Sequence, residues 1–170
     1  HGTPAISGVT IYGLGGSAAP HDIAREIIYN LRKSSTEIEV VHADTPNPDL
    51  VDDKKLVMLC SFSGNTEETL HCYETIKPKT RLLVALARGG KLRELAAKEG
   101  IPFIQIPEEE SHRAFVVQPR ESVCLQMTSS LAFLAAVGLL APGSEGRLDP
   151  NEFGFESEIP CLLRGWRQRF

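Results

Sequence analysis

The sequence predicts an α/β protein of three layers, an αβα sandwich with helices on both faces of a five-stranded parallel sheet. Three observations predict it. Five short apolar or β-branched runs recur along the chain, most of them are followed by a helical pattern, and the third run, Leu56-Val-Met-Leu-Cys60, is apolar at every position. Alternating strands and helices specify a parallel sheet with helices packed over it. A continuous apolar run suits a central strand that is covered on both faces.

The elements follow in order. Val9-Thr-Ile-Tyr12 is the first strand and ends in Gly13-Leu-Gly-Gly-Ser17. A helix is expected over residues 20–33, with Ile23, Ile27 and Leu31 at helical spacing. The second strand covers residues 37–42, and a proline-rich stretch (residues 45–49) joins it to the third without a clear helix. The third strand runs directly into Ser61-Phe-Ser-Gly-Asn-Thr66, with a helix over 66–76. Residues 81–86 form the fourth strand, Gly89-Gly90 a turn, and residues 91–98 a helix that Gly100 stops. The fifth strand spans 101–106, where Pro102 points to a sheet edge. A polar, irregular segment (107–118) precedes a long apolar helix over 121–140, whose excess of small and apolar residues suits packing against a second copy or a second domain. The folded domain is thus expected over residues 1–141, with a linker or carboxyl-terminal arm over 142–170.

Composition narrows the function. A chain of 170 residues with 42% hydrophobic and 24% charged residues has the makings of one globular domain. A net charge of −4 argues against a nucleic-acid partner, which demands clustered Lys and Arg. The four cysteines form no CxxC pair and no zinc-type cluster with histidine, so no metal is expected. Cys60 and Cys124 lie in apolar runs and are expected as buried free thiols, as in a reducing compartment. No signal peptide is evident, and the apolar stretch 131–141 is too short for a bilayer; a cytoplasmic protein without membrane contact is the expectation.

Two loops carry the chemistry. A dianionic phosphate needs several donors close together, and small residues let backbone N–H groups reach it. Ser61, Ser63 and Thr66 offer hydroxyls, Gly64 permits a tight turn, and the helix that begins near Thr66 directs its positive end at an anion. The bland reading is a Ser/Asn turn in which Asn65 or Thr66 caps the helix. The first loop leaves more open. Gly13, Gly15 and Ala18 fit a dinucleotide fingerprint, with Asp44 where a ribose-binding acid would stand. Gly15, Gly16 and Ser17 could equally hold a sugar opposite the phosphate, or the segment is simply a close strand-to-helix turn. Ligands in such folds sit beyond the carboxyl ends of the strands, where the strand order reverses. If the first and third strands are neighbours, the two loops face each other there.

The set Gly13-Leu-Gly-Gly-Ser17, Ser61-Phe-Ser-Gly-Asn-Thr-Glu-Glu-Thr69, Gly89-Gly-Lys-Leu92 and Gln118-Pro-Arg120 resembles sugar-isomerase (SIS) domains. It is most similar to the amino-terminal half of bifunctional phosphoglucose/phosphomannose isomerases. The resemblance implies a flavodoxin-like strand order and a hexose 6-phosphate substrate without a cofactor. Ser61, Ser63 and Thr66 would hold the phosphate, Gly64 and Asn65 would shape that loop, and Gly15, Gly16 and Ser17 would line the sugar. Arg120 would stabilise an enediolate. In that family the glutamate base and the ring-opening histidine come from a second sugar-isomerase domain, for which this chain has no counterpart; pairing with a second domain or a homo-oligomer is implied. Within the chain, Glu121, His112 and His21 are weak candidates for the base, each with an ordinary structural role as the alternative. A non-catalytic module that senses or carries a sugar phosphate is the rival function.

Overall fold

The computed structural model describes residues 6–30, 36–42, 45–47, 49, 51–107 and 119–140. Within these, β1 (Gly8–Tyr12), α1 (Ala19–Asn30), β2 (Glu37–Val41), β3 (Lys55–Cys60), α2 (Glu67–Ile76), β4 (Leu83–Ala87), α3 (Gly90–Glu99), β5 (Phe103–Gln105) and α4 (Val123–Ala136) follow one another. Short 3-10 turns, Gly15–Ser17 and Pro119–Ser122, precede α1 and α4. The five strands form a parallel sheet in the order β2-β1-β3-β4-β5. The three-layer α/β fold and the flavodoxin-like order are therefore as expected, and β5 is an edge strand.

Each inner strand faces two apolar layers, which explains its unbroken hydrophobicity. Leu56, Met58 and Cys60 of β3 join a core with Ala24 and Ile28 of α1 and Leu131, Phe133 and Leu134 of α4. The alternate residues Val57 and Leu59 face the other way, into a core with Cys72, Tyr73 and Ile76 of α2 and Leu92 and Ala96 of α3. Side chains of a strand alternate between faces, so a strand sandwiched by helices needs apolar residues at every position.

Several local expectations are corrected. The expected Ile23–Ile27 stripe of α1 is not its inward face: Ile23 is 44% exposed, whereas His21, Ala24 and Ile28 are buried. Spacing reveals an amphipathic helix, but the neighbouring helix decides which of two adjacent stripes turns inward. The last helix is shorter than 121–140. It opens as the 3-10 turn and ends at Ala136, just before Gly138 takes a left-handed conformation at φ 77°. Cys124 is exposed rather than buried, because α4 turns Gln126 and Ser129–Leu134 inward and leaves Cys124 outside that face; Cys60 is a buried free thiol as expected. The arm at 142–170, His112 and Asp44 lie outside the described residues.

Candidate functional site

The carboxyl ends of β1 and β3 lie side by side, with Tyr12 in register with Leu59. The loops that leave them are joined by a hydrogen bond: Phe62 N–H donates to the hydroxyl of Ser17 at 2.9 Å, and the bond is buried. Gly13 must be glycine for this turn to close, since a Cβ there would come within 2.5 Å of the Ser17 carbonyl oxygen. Gly15, at φ 54°, then lies exposed at the turn's tip.

The serine loop is knitted from within. Gly64 N–H donates to Ser61 Oγ at 3.1 Å, and the Ser61 and Thr66 hydroxyls are 2.9 Å apart. Ser61 is buried, so its hydroxyl serves the loop's own shape. Ser63 is exposed; its oxygen accepts from Asn65 N–H at 3.1 Å, which leaves its proton to donate outward. The side-chain cap of the bland reading is not made. Thr66 occupies the N-cap position of α2 without capping it, and the Asn65 side chain reaches away to Lys91 N–H at 2.9 Å. The positive end of a ten-residue helix therefore stands at the crevice with no side-chain cap. Glu67 is exposed and Glu68 half-buried in its first turn.

The turn after β4 forms a third wall. Gly64 O accepts from Leu92 N–H at 2.9 Å and Phe62 O from Arg88 N–H at 3.0 Å. The approach is close enough that a Cβ on Gly64, at φ 74°, would fall 1.9 Å from Gly89 O, and one on Gly90, at φ 69°, 2.6 Å from Ser63 O. The Arg88 guanidinium lies 5.0 Å from the centre of the Phe62 ring, which sets a cation beside the loop. Across the crevice, the turn Pro119–Ser122, which carries Arg120, packs on the glycine turn Gly15–Ser17. The residues singled out in the sequence thus gather in one place: the glycine turn, the serine loop and the Arg120 turn share the rim above β1 and β3.

No protein-family model matches the sequence. The bifunctional phosphoglucose/phosphomannose isomerase of Caldicellulosiruptor bescii is 37% identical over 137 residues, 81% of this chain. The chain spans 38% of that relative's length. Among solved structures, tagatose-6-phosphate ketose/aldose isomerase from Escherichia coli superposes with a TM-score of 0.57 at 21% identity, over 84% of this chain and 40% of that one. The c3406 protein of E. coli CFT073, in complex with A5P, gives 0.56 at 21% identity over 86% of this chain and 79% of its own. The chain has the sugar-isomerase (SIS) fold, and its homologues include bifunctional phosphoglucose/phosphomannose isomerases.

Two of the weak base candidates take definite places in the domain. Glu121 is exposed on the Arg120 turn. His21 is buried against α4, with Nδ1 2.9 Å from the Ser130 hydroxyl, and burial lowers its pKa to about 4, against a smaller opposing pull from Asp22. It is neutral at ordinary pH. Among the described residues, no group of three or more His, Cys, Asp or Glu could hold a metal ion, and no helix is long and apolar enough to cross a membrane. Sequence reasoning missed the polar layer beneath the glycine turn, made by His21, Ser122, Gln126, Ser129 and Ser130, all buried. Its one legible signal is the cluster of serines and a glutamine on an otherwise apolar helix.

Proposed function

We propose that this domain binds a hexose 6-phosphate, as the first of two sugar-isomerase domains in a cytoplasmic phosphoglucose/phosphomannose isomerase-like protein. The observation that carries the reading is the buried Ser17–Phe62 hydrogen bond, which holds the glycine turn and the serine loop together as one cradle. The phosphate sits on Ser63, on the loop's backbone amides and against the uncapped start of α2, where helix-terminal amides and hydroxyls favour an anion. Ser61 and Thr66 fix the loop through their mutual contact, and Gly64 and Asn65 lock it to the turn after β4. Gly15, Gly16 and Ser17 line the sugar.

Aldose–ketose isomerisation breaks the C2–H bond of the open-chain aldose and forms a C1–H bond through an enediolate, with one base carrying that proton while the O2 hydroxyl proton passes to O1. In this reading Arg120 holds the enediolate oxygens, electrostatic help that is worth several kcal/mol where water is excluded. A base must be a group free to meet C1 and C2. His21 is buried and bonded to Ser130, so it is not that base; in this reading a second domain or subunit supplies it.

Calorimetric titration with fructose 6-phosphate and glucose 6-phosphate tests the reading. Ser63→Ala is expected to weaken affinity by about 1–3 kcal/mol, the range for a hydrogen bond to a charged group. Unchanged affinity in that variant would remove the serine loop from the site.

A further inference from the structure

The glycine turn and the Arg120 turn meet over a chain of polar contacts, most of them buried, that the proposed isomerase chemistry does not employ. Ser130 Oγ lies 3.0 Å from the Gln126 carbonyl oxygen and 2.9 Å from His21 Nδ1. A carbonyl only accepts, so the single hydroxyl proton goes to it, and the ring nitrogen donates to Ser130 Oγ. His21 is thereby the Nδ1–H tautomer, with Nε2 buried and without a hydrogen-bond partner among the described residues. One turn earlier on α4, the Gln126 side-chain amide donates to Ser122 Oγ at 2.7 Å, and the same nitrogen lies 3.5 Å from Gly16 O. The contacts therefore run from the first turn of α1 to α4, along α4 to the turn that bears Arg120, and to Gly16 of the glycine turn.

We propose that Gln126, with Ser122 and the His21–Ser130 pair, is a positioning device that fixes the Arg120 turn against the glycine turn, and so sets the carbohydrate end of the crevice separately from its phosphate end. The proposal rests on the sugar-phosphate reading of the crevice. Its physical basis is that Gln126 is fully buried, at 0% exposure, and bridges two backbone segments 110 and 4 residues away in the chain. A glutamine in an apolar layer is tolerated only where its amide is used. The serine loop is shaped by contacts of its own, Gly64 N–H to Ser61 Oγ and Lys91 N–H to Asn65 Oδ1. Removing the Gln126 amide should free one end of the ligand and leave the other.

The test compares Gln126→Leu and the milder Ser122→Ala with the unmodified 170-residue chain. Hydrogen exchange is read at the amides of Gly16, Ser17 and Ser122, and affinity is read for two probes, fructose 6-phosphate and inorganic phosphate. Protection at those amides is expected to fall about tenfold while protection in β3 and β4 holds. Affinity for fructose 6-phosphate is expected to fall about tenfold and that for inorganic phosphate by less than about twofold, the pattern for loss of one positioned contact. Unchanged exchange at Gly16 and Ser17 overturns the proposal, as does an equal loss of both ligands. Should the unmodified chain bind inorganic phosphate but no hexose phosphate, the functional reading fails on its own, while the exchange measurement still decides whether Gln126 holds the two turns. Should Gln126→Leu fail to fold, Ser122→Ala, which removes a single hydroxyl, carries the same comparison.

Discussion

Replacing Ser17 by alanine removes the one side-chain bond between the glycine turn and the serine loop among the described residues, and its consequence is calculable. Ser17 is 7% exposed, and its oxygen is the acceptor for Phe62 N–H in a buried bond. Ser17→Ala leaves that amide in place with nothing to accept from it. An unsatisfied buried donor costs about 1–3 kcal/mol, more than the net value of an average hydrogen bond, because the amide has given up water and gained nothing. Against a typical total stability of about 5–15 kcal/mol this is a large fraction. Urea unfolding followed by far-UV circular dichroism should show the midpoint move to lower denaturant with the slope unchanged, since the same surface is exposed on unfolding. Ser63→Ala supplies the contrast. Its hydroxyl is exposed and bonds only a neighbouring amide of its own loop, so stability should stay within about 0.5 kcal/mol of the parent while affinity falls. If Ser17→Ala unfolds like the parent chain, the amide has found water and the two loops are not locked together as a single cradle.

Further outcomes are expected. Gly64→Ala places a methyl group 1.9 Å from Gly89 O at a φ of 74°, so a cost above about 2 kcal/mol, with loss of sugar-phosphate binding, should appear in the same unfolding and titration experiments. His21 makes the domain acid-labile: above pH 6.5 it is neutral folded or unfolded and costs nothing, but as the pH falls from 6.5 toward about 4 only the unfolded chain takes up the proton. The stability lost is on the order of 3 kcal/mol, complete below about pH 4, and His21→Leu should flatten this part of the stability–pH curve. Alkylation followed by peptide mapping should modify Cys124 in the native protein and reach Cys60 and Cys72 only on unfolding, since the latter two are buried and burial raises the Cys60 thiol pKa. Equal native labelling of Cys60 and Cys124 would contradict the packing of β3.

What the sequence determined by itself was local. The uniform apolarity of Leu56 to Cys60 announces a strand covered on both faces, and Ser61, Ser63, Gly64 and Thr66 announce a tight, hydroxyl-rich turn before a helix, because burial and loop chemistry are written in consecutive residues. The tertiary structure alone decided what those elements meet. Asn65 was legible as a helix cap but serves the turn after β4, and Ile23 was legible as apolar but faces outward, whereas His21 turns in to reach Ser130. Ser17 and Phe62 stand 45 residues apart, and Gln126 and Gly16 stand 110 apart. A bond across such a distance exists only once the sheet has set β1 beside β3 and α1 against α4; each partner's neighbours in sequence are shaped by their own helix or turn and carry no trace of it.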